Sequence, residues 1–263
     1  MKKLMALFTA LLMVAAFAGC GKSDKSDKSS SDLDYVKEKG TLVVGITDFA
    51  PMDYKDENGN WVGFDADMAA KFAEYIGVDV KFVEITWANK IMELDGKSID
   101  CAWNGMTLTD DVKAAMSTSN AYCNNAQIVV VPADKADKYK TAADCKGLKF
   151  AVESGSAGKD VAEENGFEYT EVENQAKAIM EVSSGTSDAA IIDSLMAAAM
   201  VGEGTSYENL AYTVSLNSEE YGVGFRKGSD LTAKVNEFFD KCKQDGTLET
   251  VAEKYKVQAM LIK

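Results

Sequence analysis

The stretch GFDADMAAKFAEYIG, residues 63–77, decides the fold because it has helical periodicity and lies between two short β-branched runs. Its apolar side chains recur every three or four positions, which predicts an amphipathic helix that ends at Gly77. The runs on either side, TLVVGI at residues 41–46 and a second run at residues 80–85, are typical of strands. A strand, a helix and a strand in this order predict an α/β unit with a largely parallel sheet.

The same alternation of strands and helices continues to the end of the chain, in two series. The first series goes on with strands at residues 99–103 and 127–131, the latter reading QIVVV. The second series comprises strands at 149–152, 169–172 and 189–192 and helices near 158–165 and 174–183. A C-terminal stretch follows with two helical faces at 231–242 and 248–255. Two series of this kind predict two α/β lobes.

The composition excludes several classes of function. The chain has 28 Lys and Arg against 42 Asp and Glu, and its net charge of −14 repels nucleic-acid phosphates and anionic membrane surfaces. It contains no histidine, which excludes Ser-His-Asp and Cys-His catalysis and every metal site that needs an imidazole. Arg226 is the only arginine in the sequence, so it alone could bind a carboxylate through two parallel hydrogen bonds. We expect no nucleic-acid partner, no metal and no cofactor.

The N-terminus has the pattern of an export signal. Lys2 and Lys3 precede an uncharged run over residues 4–18, which is short for a membrane span. The run closes on Phe17-Ala18-Gly19-Cys20, which resembles the lipobox of bacterial lipoproteins and implies a signal peptide over residues 1–19 and lipid on Cys20. Secretion without a lipid anchor is the alternative. Residues 21–32 lack apolar side chains, so residues 20–32 are predicted to form a flexible tether.

Four cysteines follow Cys20, and the sequence leaves their pairing open. They are Cys101, Cys123, Cys145 and Cys242. Their spacing is too wide for a CxxC motif, and Cys101 and Cys242 fall on apolar positions of predicted elements. Free, buried cysteines are therefore favoured over disulfides, although export permits pairing.

Several motifs together resemble one protein family. Gly63-Phe64-Asp65-Ala66-Asp67-Met68-Ala69 is similar to the GFDxDLA signature of family 3 extracellular solute-binding proteins, the ligand receptors of polar amino acid ABC importers. Further segments agree with the family in order, and the resemblance covers residues 42–255. These segments lie at residues 99–109, 127–131, 152–157, 188–190, 221–228 and 245–248.

The resemblance implies an α/β fold with two lobes, a clamp of the type II periplasmic-binding-protein kind. Residues 33–131 and 221–263 would form lobe 1 and residues 132–220 lobe 2, with the runs at 127–131 and 221–225 as two strands that cross the hinge. A ligand would bind in the cleft between the lobes, which close by a hinge motion. An ABC permease would then recognise the closed form.

The family's ligand-binding positions can be carried over one at a time. Phe49 and Trp87 match the side chains that sandwich the ligand, although an aromatic at a strand end is also a common core residue. The segment from Asn104 to Thr107 matches the groups that hold the ligand's amino and carboxyl groups. The full expected set is Asp48, Phe49, Trp87, Asn104, Gly105, Met106, Thr107, Ser156, Ala157 and Asp193.

Three members of this set lie in the second lobe. Ser156 and Ala157 open a predicted helix, whose free N–H groups and dipole can bind an anion, but a simple helix cap has the same composition. Asp193 matches the carboxylate that pairs with a ligand α-ammonium in the family. A helix-capping aspartate would look the same in sequence.

One position departs from the family. Most members place an arginine three residues after Thr109, where it grips the ligand α-carboxylate, and Val112 stands there in this chain. Either Lys113 and the helix N-termini supply the positive field, or the ligand has no α-carboxylate. Asp48, Glu153 and Asp193 are expected near the cleft, and their negative charges favour a cationic or amine-bearing ligand. We expect weaker or altered amino acid binding.

The expected function is that of a monomeric receptor outside the cytoplasm, anchored by lipid to the outer face of the cell membrane. It would deliver an amino acid or related amine to an ABC importer without transforming it. A dehydratase-like enzyme on the same fold is an alternative, although it lacks the anion-binding arginine that such a reaction usually needs. A ligand-sensing lipoprotein is the other alternative.

Overall fold

A computed structural model of the protein describes residues 31–262, so Cys20, the signal peptide and most of the expected tether lie outside the described residues. The strands of the described part are β1 (Thr41–Ile46), β2 (Tyr54–Lys55), β3 (Trp61–Val62), β4 (Asp79–Glu84), β5 (Cys101–Thr107), β6 (Ser117–Thr118), β7 (Cys123–Asn125), β8 (Gln127–Pro132), β9 (Lys149–Glu153), β10 (Glu168–Val172), β11 (Ala189–Asp193), β12 (Leu210–Ser215) and β13 (Glu219–Phe225).

The α-helices are α1 (Asp32–Lys39), α2 (Phe64–Ile76), α3 (Lys90–Asp95), α4 (Asp110–Ala115), α5 (Ala157–Asn165), α6 (Gln175–Ser184), α7 (Ser194–Met200), α8 (Leu231–Gln244) and α9 (Thr247–Lys254). Short 3₁₀ segments lie at Trp87–Asn89, Ala133–Lys138, Ala142–Cys145 and Gln258–Met260. No helix within residues 31–262 combines the length and the apolar character needed to cross a bilayer.

The strands form two main sheets, one in each lobe. The first lobe is built on the order β4-β1-β5-β13-β6, with β7 also paired to β13, and the second on β10-β9-β11-β8-β12. In the first sheet β1 runs parallel to β4 and β5, while β13 is antiparallel to β5. In the second, β9 is parallel to β10 and β11, while β8 is antiparallel to β11 and β12. Both sheets are therefore mixed, because the strands next to the crossings run against their neighbours.

The two lobes are connected by two chain crossings. β7 pairs in the first sheet and β8 in the second, so the first crossing falls at Ala126. The chain returns between Ser215 and Glu219. The structure thus places residues 127–131 in the second lobe, whereas the sequence expectation ended the first lobe at residue 131. A run of apolar residues such as QIVVV is compatible with burial in either sheet. The sequence therefore could not predict which of the two sheets contains it.

The first lobe starts earlier than expected. Ser31 caps α1, and Asp32 accepts hydrogen bonds from Arg226 Nε at 3.0 and 3.1 Å. The guanidinium also donates to the carbonyl oxygen of Ile99 at 2.8 Å and pairs with Asp100 at 3.3 Å. Asp32 is therefore part of the folded body rather than of the tether. Arg226 lies outside the cleft, as expected.

The predicted helix over residues 64–76 is confirmed, and it forms the centre of the first lobe's core. The Phe72 ring lies 6.1 Å from the ring of Trp103 and 5.5 Å from that of Phe238. Gly77 ends the helix with a φ of 80°, a conformation that residues with a Cβ rarely adopt.

The four cysteines of the described part are buried and free, which confirms the sequence prediction.

Candidate functional site

A cavity of about 180 Å³ lies between the two lobes. The first lobe contributes the end of β5, the 3₁₀ turn at Trp87 and the start of α4, and the second contributes the ends of β9 and β11 and the start of α5. Four of the lining strand residues thus stand at or near the carboxyl ends of parallel strands, where open α/β sheets place their ligands. They are Met106, Thr107, Glu153 and Asp193.

Apolar side chains of the first lobe form one wall of this cavity. Trp87, Ile91, Met106 and Val112 line it, and all but Ile91 are buried. The ammonium of Lys90 lies 4.8 Å from the centre of the Trp87 ring. A flat aromatic face beside apolar side chains is the usual surface against which the hydrocarbon part of a small ligand packs.

Buried hydrogen bonds to residues that do not line the cavity fix the end of β5. The Asn104 side chain accepts from Thr47 N at 2.9 Å and donates to Thr47 Oγ1 at 2.8 Å. The Gly105 N–H donates to Asp65 Oδ2 at 2.6 Å, and Tyr122 donates to the same carboxylate at 2.8 Å. Burial raises the pKa of Asp65 to about 7. The signature motif thus contributes a carboxylate that fixes the backbone beneath the cavity.

Asp193 is buried at the end of β11, where donors from both lobes surround its carboxylate. Its Oδ1 accepts from Tyr221 Oη at 2.7 Å and from Gln127 Nε2 at 2.8 Å, and also from Asn125 Nδ2. Its Oδ2 accepts from Gln175 Nε2. Burial, followed by the nearby charge of Glu219, raises the pKa of Asp193 to about 7. Although Asp193 precedes α7, its side chain makes no capping hydrogen bond.

Glu219, at the start of β13, joins this network at the hinge. Its Oε1 accepts from Asn125 Nδ2 at 2.7 Å and from Gln127 Nε2 at 2.8 Å, the two amides that also donate to Asp193. The Thr107 hydroxyl donates to the same oxygen at 2.9 Å. Two side-chain amides on the first crossing therefore bridge carboxylates that belong to different sheets. The network links the two lobes next to the cavity.

The other second-lobe wall contains two carboxylates beside the start of α5. Glu153 is only 3% exposed, and its Oε1 has no hydrogen-bond partner among the described residues. Burial, and then the charge of Asp193, raises the pKa of Glu153 to about 8, while Lys90 acts in the opposite direction. Asp160 stands in the first turn of α5, and burial raises its pKa as well. Ser156 caps this helix by accepting from Lys159 N at 3.2 Å.

The lobes touch across the cleft at Gly155. Lys90 Nζ of the first lobe donates to the Gly155 carbonyl oxygen at 2.9 Å and to that of Trp87 at 3.4 Å. Gly155 has a φ of 71°, and a Cβ placed on it would lie 2.6 Å from the Cα of Ala88. Only a glycine lets the two backbones approach this closely without displacement.

The structure brings eight of the ten expected site residues to the cavity. They are Trp87, Asn104, Gly105, Met106, Thr107, Ser156, Ala157 and Asp193. Asp48 and Phe49 do not line it. Phe49 is buried behind Gly105 with its ring edge-on to that of Tyr221 at 6.3 Å, so it supports the cavity floor from below. Asp48 is exposed after β1.

The position that departs from the family lies on the cavity wall. Val112 lines the cavity and is buried, whereas Lys113 is exposed and does not line it. The cation of the cavity is instead Lys90, which sequence reasoning missed because it precedes an ordinary amphipathic segment. Gln127, Gln175 and Asp160 were missed as well. Only the position of Gln127 at the start of a predicted hinge strand could have indicated its role.

No group of three or more Cys, Asp or Glu side chains in residues 31–262 is arranged to hold a metal ion.

Two α/β lobes around a shared cavity, joined by two crossings, define the class of type II periplasmic binding proteins. The sequence profile of the bacterial extracellular solute-binding proteins, family 3, matches residues 42–258. The chain therefore belongs to this family.

Individual relatives agree with this assignment. The chain is 30% identical over 252 residues to the L-cystine-binding protein TcyJ of Escherichia coli, with 94% of each chain covered. A substrate-binding protein of an ABC uptake transporter from Streptococcus pneumoniae, solved with bound histidine, gives a TM-score of 0.81 at 26% identity and covers 89% of this chain and all of its own. An ancestral amino acid-binding protein, a precursor of cyclohexadienyl dehydratase, gives 0.78 at 35% identity over 86% and 99% of the two chains.

Proposed function

We propose that this chain is a receptor that binds an amino acid or related amine and delivers it to an ABC importer. The observation that carries the proposal is the cavity, which is walled by side chains from both lobes. A ligand that contacts both walls at once stabilises the closed arrangement relative to an open one. The names of the relatives, which include binding proteins for L-cystine and histidine, support the amino acid class.

Binding rather than catalysis is the second part of the proposal. The cavity holds carboxylates and one ammonium, and the carboxylate of Asp193 accepts hydrogen bonds from four side chains of the protein. These hydrogen bonds occupy both oxygens of Asp193, which suits a carboxylate that is fixed in place to face a ligand cation. The dehydratase alternative remains testable, because turnover of prephenate-like acids would show it directly.

The residues expected to touch the ligand follow from the cavity. We propose that Trp87 packs on the ligand, that the segment from Asn104 to Thr107 and the turn at Ser156 and Ala157 contact its polar groups, and that Asp193 faces its ammonium. In this proposal Phe49 acts only by supporting Gly105, and Asp48 stands outside the closed cavity.

We further propose that the protein works as a monomer outside the cytoplasm, held to the membrane by lipid on Cys20. Only the sequence supports this part. The test is to express the full chain and its Cys20→Ser variant and to separate each by detergent phase partitioning. The unchanged protein is expected in the detergent phase and the variant in the aqueous phase; the same phase for both contradicts the anchor.

A thermal-shift screen tests the binding function itself. The purified protein is heated with each of the common polar amino acids, polyamines and small peptides in turn. A ligand present at 100 times its dissociation constant adds about 2.7 kcal/mol to the free energy of unfolding of the protein. The melting temperature of the protein therefore rises by several degrees. If no compound raises the melting temperature and a prephenate-like acid is turned over, the receptor function is wrong.

A further inference from the structure

We propose that the cavity takes a small organic cation with an ammonium or guanidinium group and no carboxylate, and that the carboxylate of Glu153 is its partner. This inference rests on the function proposed above, because it names the ligand class of the same site. Of the two ligand classes named there, it selects the amine, because an amino acid would bring a carboxylate into the cavity together with its amine.

The first observation is the state of Glu153. Its side chain ends β9, lines the cavity and is 3% exposed, yet Oε1 has no partner among the described residues. A buried polar atom without a hydrogen bond is rare in native proteins, because its desolvation is not compensated. An ammonium or guanidinium N–H in the cavity supplies the missing donor.

The second observation is the charge of the cavity wall. Asp111, Glu153, Asp160 and Asp193 line it, against the single ammonium of Lys90. Two of the three N–H groups of Lys90 are already directed to the carbonyl oxygens of Trp87 and Gly155. Burial raises the pKa of Glu153 to about 8 and that of Asp193 to about 7, but a bound cation favours the ionised form of both, so the wall attracts a cation and repels a ligand carboxylate.

The third observation concerns the two places that could hold a ligand carboxylate. Val112 occupies the position where the resemblance implies an arginine, and its side chain offers no donor. The start of α5 is the other place, but Ser156 Oγ already caps Lys159 N and the carboxylate of Asp160 stands in the same turn. An acidic side chain there competes with any anion for the positive end of the helix dipole.

The fourth observation indicates an organic cation. Trp87 and Ile91 line the same cavity beside the carboxylates. A ring face of this kind attracts ammonium and guanidinium groups and also packs against their carbon chains. The cavity thus offers an apolar surface next to acidic groups, which suits an amine with a hydrocarbon body.

Matched ligand pairs test the ligand class. Isothermal titration at pH 8 compares agmatine with L-arginine, cadaverine with L-lysine, histamine with L-histidine, and cystamine with L-cystine. Within each pair the amine differs from the amino acid only in lacking the α-carboxylates. We expect at least one amine to bind at least tenfold more tightly than its amino acid.

The possible outcomes separate the two proposals. If every amino acid that binds does so as tightly as its amine or more tightly, the cation inference is overturned and the receptor function stands. If no member of any pair binds, the cation inference is overturned, and the thermal-shift screen described above decides the proposed function separately.

A variant then tests the role of Glu153. Glu153→Gln keeps the shape of the side chain and removes its charge, and Glu249→Gln makes the same change of net charge on the exposed face of α9. The amine that binds best is expected to lose at least tenfold in affinity with Glu153→Gln and to bind Glu249→Gln as it binds the unchanged protein. Equal affinity for all three proteins overturns the assignment of Glu153.

Discussion

Ala88 and Gly155 face each other across the cleft so closely that a Cβ on Gly155 would lie 2.6 Å from the Cα of Ala88. The same glycine accepts a hydrogen bond from Lys90 through its carbonyl oxygen at 2.9 Å. Because these atoms belong to different lobes, the contact exists only while the lobes are together. The size of the side chain at residue 155 should therefore control closure.

Gly155→Ala is expected to weaken ligand binding by about tenfold. The new methyl group strikes the backbone of the first lobe, and a residue with a Cβ at positive φ costs about 1–2 kcal/mol in addition. Gly166→Ala is the matched control, because Gly166 has a φ of 66° at the other end of α5 and open space around it. Titration and melting curves are measured for both variants. Equal loss of affinity in the two variants contradicts a contact that acts on closure.

Trp87 should report ligand binding through its fluorescence. Trp87 lines the cavity, whereas Trp61 lies in the β2-β3 hairpin and Trp103 is packed in the core against Phe239, with ring centres 5.5 Å apart. We expect a ligand-induced change of emission that disappears in Trp87→Phe and persists in Trp61→Phe. A change that persists in Trp87→Phe and disappears in Trp61→Phe would show that the ligand does not pack on Trp87.

Val112→Arg should shift the preference of the site toward amino acids. The guanidinium would enter the cavity wall at the start of α4, where it can bind a carboxylate through two parallel hydrogen bonds. We expect the ratio of amino acid affinity to amine affinity to rise at least tenfold in the matched pairs described above. Lys113→Arg is the control, since residue 113 is exposed and outside the cavity. An unchanged ratio in Val112→Arg means that residue 112 does not face the ligand.

The fold could be predicted from the sequence because its signals are local. The periodicity of residues 63–77 and the β-branched runs beside it specify α2, β1 and β4 without knowledge of the rest of the chain. The sheet that holds residues 127–131 could not be predicted in this way. Its apolar residues are buried between β11 and β12, and burial in the first sheet would have the same pattern.

The site was predictable where a motif marks it and not where partners meet through the fold. Trp87 and Asp193 match ligand-binding positions of the family, and both line the cavity. Gln127 and Gln175 were missed because a glutamine is common on any surface, and only the approach of Asp193 gives these two side chains a role. Phe49 was expected at the ligand because it matches a family position, but the sequence does not show whether a ring after a strand lines the cavity or packs behind it.

The stability of the ligand-free protein should fall as the pH rises from about 5 to about 8. Burial raises the pKa of Glu153 to about 8, whereas an unfolded glutamate has a pKa near 4.3, so between these values the folded state holds a proton that the unfolded state has lost. The stabilisation from this group is complete below the unfolded pKa and is lost as the pH rises through the folded one. Asp193 and Lys90 are the charged groups that act on it.

Glu153→Gln isolates this contribution, because a glutamine does not titrate. Each proton held only by the folded state changes the free energy of unfolding by about 1.4 kcal/mol per pH unit. Urea unfolding at several pH values between 5 and 8 should therefore give a shallower decline for Glu153→Gln than for the unchanged protein. Glu249→Gln, on an exposed helix face, should follow the unchanged protein. Parallel curves for all three proteins would mean that Glu153 is ionised in the empty cavity, and that it has its normal pKa there.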